Sequence, residues 1–518
     1  MSVTSTAATV PLEVNTQKDR TVWWIGLGAT VISIAAYVYF FNQGVVLGYK
    51  DAMSHLQIAQ RVVNSPTPGF AQLGGVWLPL QHILMLPVVW IAPLYYSGFA
   101  GSVISMLSFV VACMYLYKIV LGLTSGARVP AVAGVLVFAL NPNILYMQST
   151  PMGELLFFAA VAAMAYHTQA WIQTDKPMQL MFAALAGALS CLTRYEAWLL
   201  TLIVFTAIVV FVSFRRYGRQ KAEGSTLMFA FLAWAPAIGW IGWNWLILGD
   251  PLNFQSGEYA KPSLWVDTSD PSLGHPLVAI KTYWYALVHD FGLPIIIVAA
   301  IGIIALVVVR RNLDTLPILS FLSLPVFFSW AIWSGTRPMN VMETSGNLYN
   351  LRFGLVMGIL AAVAIGYLVS LAARVLQTPA AIAVGVLTVS ILFGSGLSQI
   401  VTIQETQSGL QRTISIAPNG VSDFLRQNYD GGKLLQESFG NETILFDARV
   451  SLGENIYEGS YQLWEPALKD PAAHDIRWIV MRGGDKPDKV YIALHGSPQL
   501  DEYALVFSND TYQVYKRK

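Results

Sequence analysis

The sequence predicts an α-helical polytopic membrane protein with about eleven transmembrane helices and a small C-terminal α/β domain. Three observations carry this. Hydrophobic residues fill 55% of the 518 positions and charged residues only 12%, with a mean hydropathy of +0.53, more apolar surface than one soluble core can hide. The apolar residues gather into runs of spanning or near-spanning length. After Leu397 the composition turns polar and the periodicity changes.

In chain order, a polar tail (residues 1–21) carrying Lys18 and Arg20 precedes the first apolar run, Val22 to Asn42. This run lacks a small-residue cleavage signal and reads as a retained helix. Further runs begin at Val103, Val129, Leu155, Met178, Ala197, Leu227, Leu293, Leu316, Phe353 and Ala380. The stretch Leu78 to Trp90 is broken by Pro79 and Pro87 and is too short to span comfortably. Leaving it out of the count puts Lys118, Arg128, Lys176, the cluster Arg215 to Lys221, Arg310, Arg311 and Arg374 on the side of Lys18 and Arg20, as the positive-inside rule requires. The N-terminus is then cytoplasmic in the plasma membrane. Long loops at 43–101, 249–290 and 334–350 lie outside, with the terminal domain (398–518).

That domain shows one helix-like segment, Val421 to Gln427, and strand-like Trp478 to Met481 and Tyr512 to Tyr515. Its His474, Asp475, Asp485 and His495 are too scattered for a catalytic constellation. Cys113 and Cys191 lie inside apolar runs and read as small core residues. A net charge of +1 argues against a nucleic-acid partner.

The ionisable residues collect at the outer mouths of the spans. Asp51 opens an amphipathic helix whose stripe is Ala52, Leu56, Ala59, Val62 and Val63; a simple N-cap is the alternative reading. His55 follows one turn on. Glu154 closes Thr150-Pro151-Met152-Gly153 at the start of the fourth span, and Arg194 and Glu196 fill a short external turn, where they can also satisfy one another. Arg352 opens the tenth span, where snorkelling to headgroups is its plain alternative. Glu258 and Tyr259 follow Asp250-Pro251 in the second long loop, either lining the acceptor side or capping the seventh span.

An acidic residue opening a juxtamembrane helix after the first span, followed by a Gly-rich connection (Gly69 to Gly75) into the Trp77-Leu78-Pro79-Leu80 helix, resembles the GT-C superfamily of lipid-carrier-dependent glycosyltransferases. The resemblance covers Val22 to Leu397. The shape is that of the protein O-mannosyltransferases and aminoarabinose transferases, but Lys50 precedes a single Asp51 where the mannosyltransferases carry two acids, so the likeness is nearer to bacterial and archaeal carrier-dependent enzymes. It implies a membrane glycosyltransferase that takes a sugar from a polyprenyl-phosphate donor to an acceptor hydroxyl of a glycan, lipid or protein outside the membrane, with inversion. Asp51 is then the base, Arg352 and Arg194 bind the donor phosphate, and Glu154, Glu196, His55, Tyr259 and Glu258 orient substrate or acceptor. Whether a divalent metal, magnesium or manganese, takes part stays open; Asp51, His55 and Glu154 are its candidate ligands. The rival reading is a transporter or lipid-linked-sugar flippase. It expects charges near mid-span, where only Asn244 and His167 stand out as polar.

Overall fold

In the computed structural model, residues 19–261, 264, 269–376, 385, 400–407 and 420–518 are described. Eight of their helices are long and apolar enough to cross a membrane: Thr21–Asn42, Phe99–Leu123, Glu154–Thr174, Glu196–Arg216, Arg219–Leu248, Leu293–Arg310, Leu313–Trp333 and Met357–Val375. The run from Val129 forms two helices, Arg128–Ala139 and Pro142–Gln148, bent by 68°. Asn141 makes the bend, its Oδ1 accepting the Ile144 N–H at 3.0 Å, and Pro142 starts the second piece because it needs no helical donor there. The Met178 run is a 15-residue apolar helix, Pro177–Cys191, shorter than a full crossing. The Ala380 run lies outside the described residues. Described helices thus number eight spans, or nine with the bent pair; two of the eleven expected runs are a shorter helix and a segment outside the described residues.

Leu80–Val89 is a short helix with Pro87 inside it. The second long loop is not all loop. Its last part forms the 16-residue helix Pro276–Phe291, whose mixed composition hid it from a search for apolar runs. Ala279, Tyr283 and Ala286 are buried on one face, and the Tyr283 ring stacks on Phe328 of the adjacent span at 5.4 Å.

Leu227, Phe231, Ile238, Trp245 and Leu246 stand exposed on Arg219–Leu248, a surface suited to lipid rather than water. Inside the bundle, small residues let backbones approach. A Cβ on Gly302 would sit 2.3 Å from the Ala364 carbonyl oxygen, and one on Gly134 2.6 Å from that of Ala362. Because backbone cannot yield, Gly302→Val is expected to cost at least about 1–3 kcal/mol. Gly239→Val, with nothing within 4 Å of its site, is the control. Thermal unfolding of the detergent-solubilised proteins separates the two; equal midpoints would show that the two helices can part without cost.

Side-chain contacts fall at two ends. At one end Arg128 pairs with Asp19 at 3.2 Å, Lys221 with Asp175 at 3.1 Å and Arg310 with Asp314 at 2.6 Å. The long loops and the terminal domain meet at the other end. That domain has a five-stranded sheet built from Lys433–Leu435 (β1), Asn455–Ile456 (β2), Ile476–Arg482 (β3), Tyr503–Ser508 (β4) and Tyr512–Arg517 (β5), in the order β2-β1-β3-β5-β4. β1 runs parallel to β2 and β3, and β5 antiparallel to β3 and β4. Alternation along β3 feeds two small cores: Trp478 and Val480 join Val421 and Leu425, while Ile479 and Met481 join Trp464 and Val490.

The domain is clamped onto the first long loop. Lys50 pairs with Glu442 at 2.8 Å, Arg61 donates to Ser438 and lies 4.0 Å over the Tyr457 ring, and Tyr457 donates to Gln72. The segment Val401–Gln407, which composition alone assigns to the terminal domain, packs on the membrane region instead: Thr402 donates to Asn143 Oδ1 from its amide and hydroxyl at 3.1 and 2.9 Å.

Candidate active site

The helix Lys50–Val63 begins where Tyr49 is extended (φ −79°, ψ 132°) and makes no side-chain cap. Asp51 is therefore not the N-cap. It sits in the first turn, where the helix dipole favours an acid, and its carboxylate points to the tenth-span region. Ala52, Leu56 and Ala59 are fully buried, as an amphipathic stripe requires, whereas Val63 is exposed.

Arg352 stands in the 3-10 turn Leu351–Gly354, entered through Asn350 in the left-handed conformation (φ 58°), which asparagine tolerates better than most residues. Its guanidinium gathers three carboxylates. Nη2 donates to Asp51 Oδ2 at 2.5 Å, Nε to Glu154 Oε1 at 3.1 Å and Nη1 to Glu405 Oε1 at 3.3 Å. Arg194 joins the same cluster, donating from Nη1 to Glu154 Oε1 at 2.8 Å and from Nε to Glu196. So Arg194 and Glu196 do satisfy one another, but Arg194 also bridges to Glu154. Aromatic faces complete the wall: Arg352 Cζ lies 4.6 Å from the Tyr49 ring centre, and the Phe353 ring takes Arg194 at 4.8 Å and Arg352 at 5.3 Å.

Exposure separates the members. The Asp51 side chain is 32% exposed, whereas Arg352, Glu154 and Glu405 are at 5% or less. Asp51 is thus the carboxylate of the Arg352 trio that water or a hydroxyl can reach. Glu154 Oε2 is buried with no partner among the described residues, an acceptor left open on the same side chain that the two arginines hold.

Two members escaped sequence reading. Glu405 is fully buried and also accepts the Asn350 and Leu351 amides at 2.8 and 3.1 Å; burial raises its pKa, against the pull of Arg352 and these amides. Nothing in its local sequence marks it. Arg337 left only the signal of one more basic residue in the third long loop. It makes no ion pair among the described residues; its guanidinium lies 5.5 Å over the Tyr195 ring and feels the charges of Glu196 and Arg194.

Beneath the cluster Asp290 is buried with neither oxygen partnered among the described residues. Burial, aided by Glu405, pushes its pKa well above the usual carboxylate range. A Cβ on Gly354 would come 2.3 Å from Asp290 Oδ2, so a larger residue there would have to displace the Asp290 carboxylate. The Asp290 carbonyl accepts from Asn141 and Asn143 at 2.9 and 3.1 Å. The helix bend therefore ties down both Asp290 and, through Asn143 and Thr402, the segment that presents Glu405.

His55 pairs with a second histidine rather than with a carboxylate. It shares a 2.8 Å hydrogen bond with His82 and packs 4.0 Å from the Trp77 ring, and burial depresses its pKa well below the usual imidazole value. Asp51 and Glu154 are held by guanidinium groups and His55 by His82, and no group of three metal-ligating side chains forms among the described residues. Asp51, His55 and Glu154 thus each have another partner and do not gather into one set. Tyr259 and Glu258 are engaged outside the cluster. Tyr259 donates to Glu437 at 3.0 Å and Glu258 pairs with Lys489 at 2.7 Å, so both bind the terminal domain.

No protein-family model matches the chain, and no curated protein matches it in sequence. Its fold is similar to that of ArnT from Cupriavidus metallidurans, whose crystal structure was solved bound to undecaprenyl phosphate. The TM-score is 0.56 over 96% of this chain and 97% of that one, at 13% sequence identity. The expected helical membrane bundle with a small C-terminal α/β domain is the fold observed, and it is shared with that protein.

Proposed function

We propose that the chain is an integral membrane glycosyltransferase that moves a sugar from a polyprenyl-phosphate donor to an acceptor hydroxyl, with inversion. The observation that carries the reading is the 2.5 Å pairing of a water-accessible Asp51 with a buried Arg352 contributed from 301 residues along the chain, in a fold similar to that of a protein solved with undecaprenyl phosphate. The basic ends of the spans support an extracytoplasmic position for this cluster.

Asp51 takes the proton of the acceptor hydroxyl as its oxygen bonds to the anomeric carbon. The bond from that carbon to the phosphate oxygen breaks on the opposite face, and its electron pair leaves with the phosphate as polyprenyl monophosphate. Arg352 and Arg194 face this anion, yet four carboxylates (Asp51, Glu154, Glu196 and Glu405) already offset them. Arg337 supplies the uncommitted guanidinium, and a planar fork suits a phosphate. Glu154, buried between Arg194 and Arg352, holds the two guanidinium groups in place. No step is routed through a metal, since the candidate donors do not converge.

Protein reconstituted in vesicles with a labelled polyprenyl-phosphate sugar and a membrane-extract acceptor is expected to release polyprenyl monophosphate and label the acceptor. Movement of intact donor across the bilayer without cleavage would replace this reading with the flippase. Arg337→Ala is expected to weaken binding of polyprenyl monophosphate about tenfold to a hundredfold, the worth of a hydrogen bond to a charged group, and unchanged affinity by titration would remove Arg337 from phosphate binding.

A further inference from the structure

Where the first span emerges at the loop-rich end, an apolar groove of about 610 Å³ runs between Phe41, Val46 and Leu47 on one side and Pro93 and Tyr96 on the other, with Arg449 of the terminal domain at its rim. Phe41 and, nearby in the chain, Trp90 stand exposed, as aromatic side chains do at a membrane boundary.

Arg449 is the only charged residue of the lining. It is exposed, makes no ion pair among the described residues, and lies 5.4 Å over the Tyr96 ring. It also ends the helix Glu442–Ala448 in the left-handed conformation (φ 57°), a position that favours glycine. An arginine there carries a backbone cost of about 1–2 kcal/mol, which the helix end itself does not require. The same helix is fixed at its start by the Lys50–Glu442 pair and along its length by Phe446, which packs at 5.1 and 5.3 Å on the rings of Tyr95 and Tyr96. The cation is therefore held in place over an apolar slot at the bilayer boundary.

We propose that this groove binds one anionic membrane phospholipid, its phosphate on Arg449 and one acyl chain along Phe41, Leu47 and Pro93, fastening the terminal domain to the membrane surface. Charge complementarity chooses the occupant: an apolar slot capped by a single unpaired guanidinium fits an amphiphile with one negative headgroup. The site is separate from the Asp51 and Arg352 cluster and does not depend on its chemistry.

The test is retention of lipid by the full chain extracted from vesicles of phosphatidylcholine containing phosphatidylglycerol, read by native mass spectrometry. The parent protein is expected to keep phosphatidylglycerol in preference to phosphatidylcholine. Arg449→Gln should lower the retained phosphatidylglycerol about fivefold, as loss of one cation near an anionic headgroup implies. Ala92→Trp, which fills the groove and leaves the cation, should lower it too. Equal retention of the two lipids by the parent, or undiminished phosphatidylglycerol in Arg449→Gln, overturns the site. So does retention of polyprenyl monophosphate in place of phosphatidylglycerol, which would hand the groove to the carrier.

Discussion

Asp51→Asn is expected to lower sugar transfer by about two to four orders of magnitude, the usual contribution of a positioned base, while the protein stays folded. The two halves of this expectation have separate physical grounds. Asparagine keeps the shape of the side chain but cannot take a proton from the acceptor hydroxyl. Folding is spared because Asp51 is the exposed member of the cluster, and Arg352 keeps Glu154 at 3.1 Å and Glu405 at 3.3 Å when Asp51 loses its charge. The measurement is the initial rate of transfer from a labelled polyprenyl-phosphate sugar at saturating donor, with the thermal midpoint of the same preparation beside it. A fall in kcat with little change in donor KM identifies a group acting in the bond-making step. A variant within a few-fold of the parent rate would show that another group, or water, accepts the proton. Asp51→Glu belongs in the same series: it keeps the acid one methylene out of place, and misplacement of about 1 Å is costly in a site of this kind.

Much of this site was legible because the physics that marked it was local. Asp51, Glu154, Arg194, Glu196 and Arg352 each interrupt an apolar or small-residue stretch at the mouth of a span, where an uncompensated charge is expensive. A topology set by other residues, the basic loops, put all five on one face. What stayed hidden depended on contacts across the chain. Glu405 sits in a short polar segment that reads as the start of a soluble domain, and contacts with distant residues, Thr402 with Asn143 and Glu405 with Asn350, Leu351 and Arg352, hold it against the membrane region. His55 shares the first-loop helix with Asp51, yet its partner His82 comes from the neighbouring helix Leu80–Val89. Tyr259 and Glu258 read as site residues from loop position alone, but Glu437 and Lys489 of the terminal domain claim them. The helix Pro276–Phe291 was missed for a related reason: one face packs against Ser323–Trp333, so its apolar residues never form a continuous run.

Arg352→Met is expected to be the most damaging single change, removing activity and destabilising the fold by about 3–5 kcal/mol, the cost of breaking a buried ion pair by deleting one partner. The reason lies in what remains. Glu405 would stay fully buried with no cation against its charge, only neutral donors such as the amides of Asn350 and Leu351, and Glu154 would keep Arg194 alone. Burial already raises the Glu405 pKa with Arg352 in place, so without the arginine its neutral form gains further, which sends the stability of this variant up as the pH falls. The double variant Arg352→Met, Glu405→Gln removes the stranded charge and keeps hydrogen-bonding capacity for the amides; it is expected to recover part of the lost stability and none of the transfer. Arg352→Lys retains the charge but not the three-way fork, and should fold better than the Met variant while transferring poorly. Thermal midpoints across a pH series, with transfer rates on the same samples, distinguish these cases. If Arg352→Met melts with the parent and the double variant adds nothing, the three carboxylates do not depend on the guanidinium, and the reading of the cluster as one electrostatic unit fails.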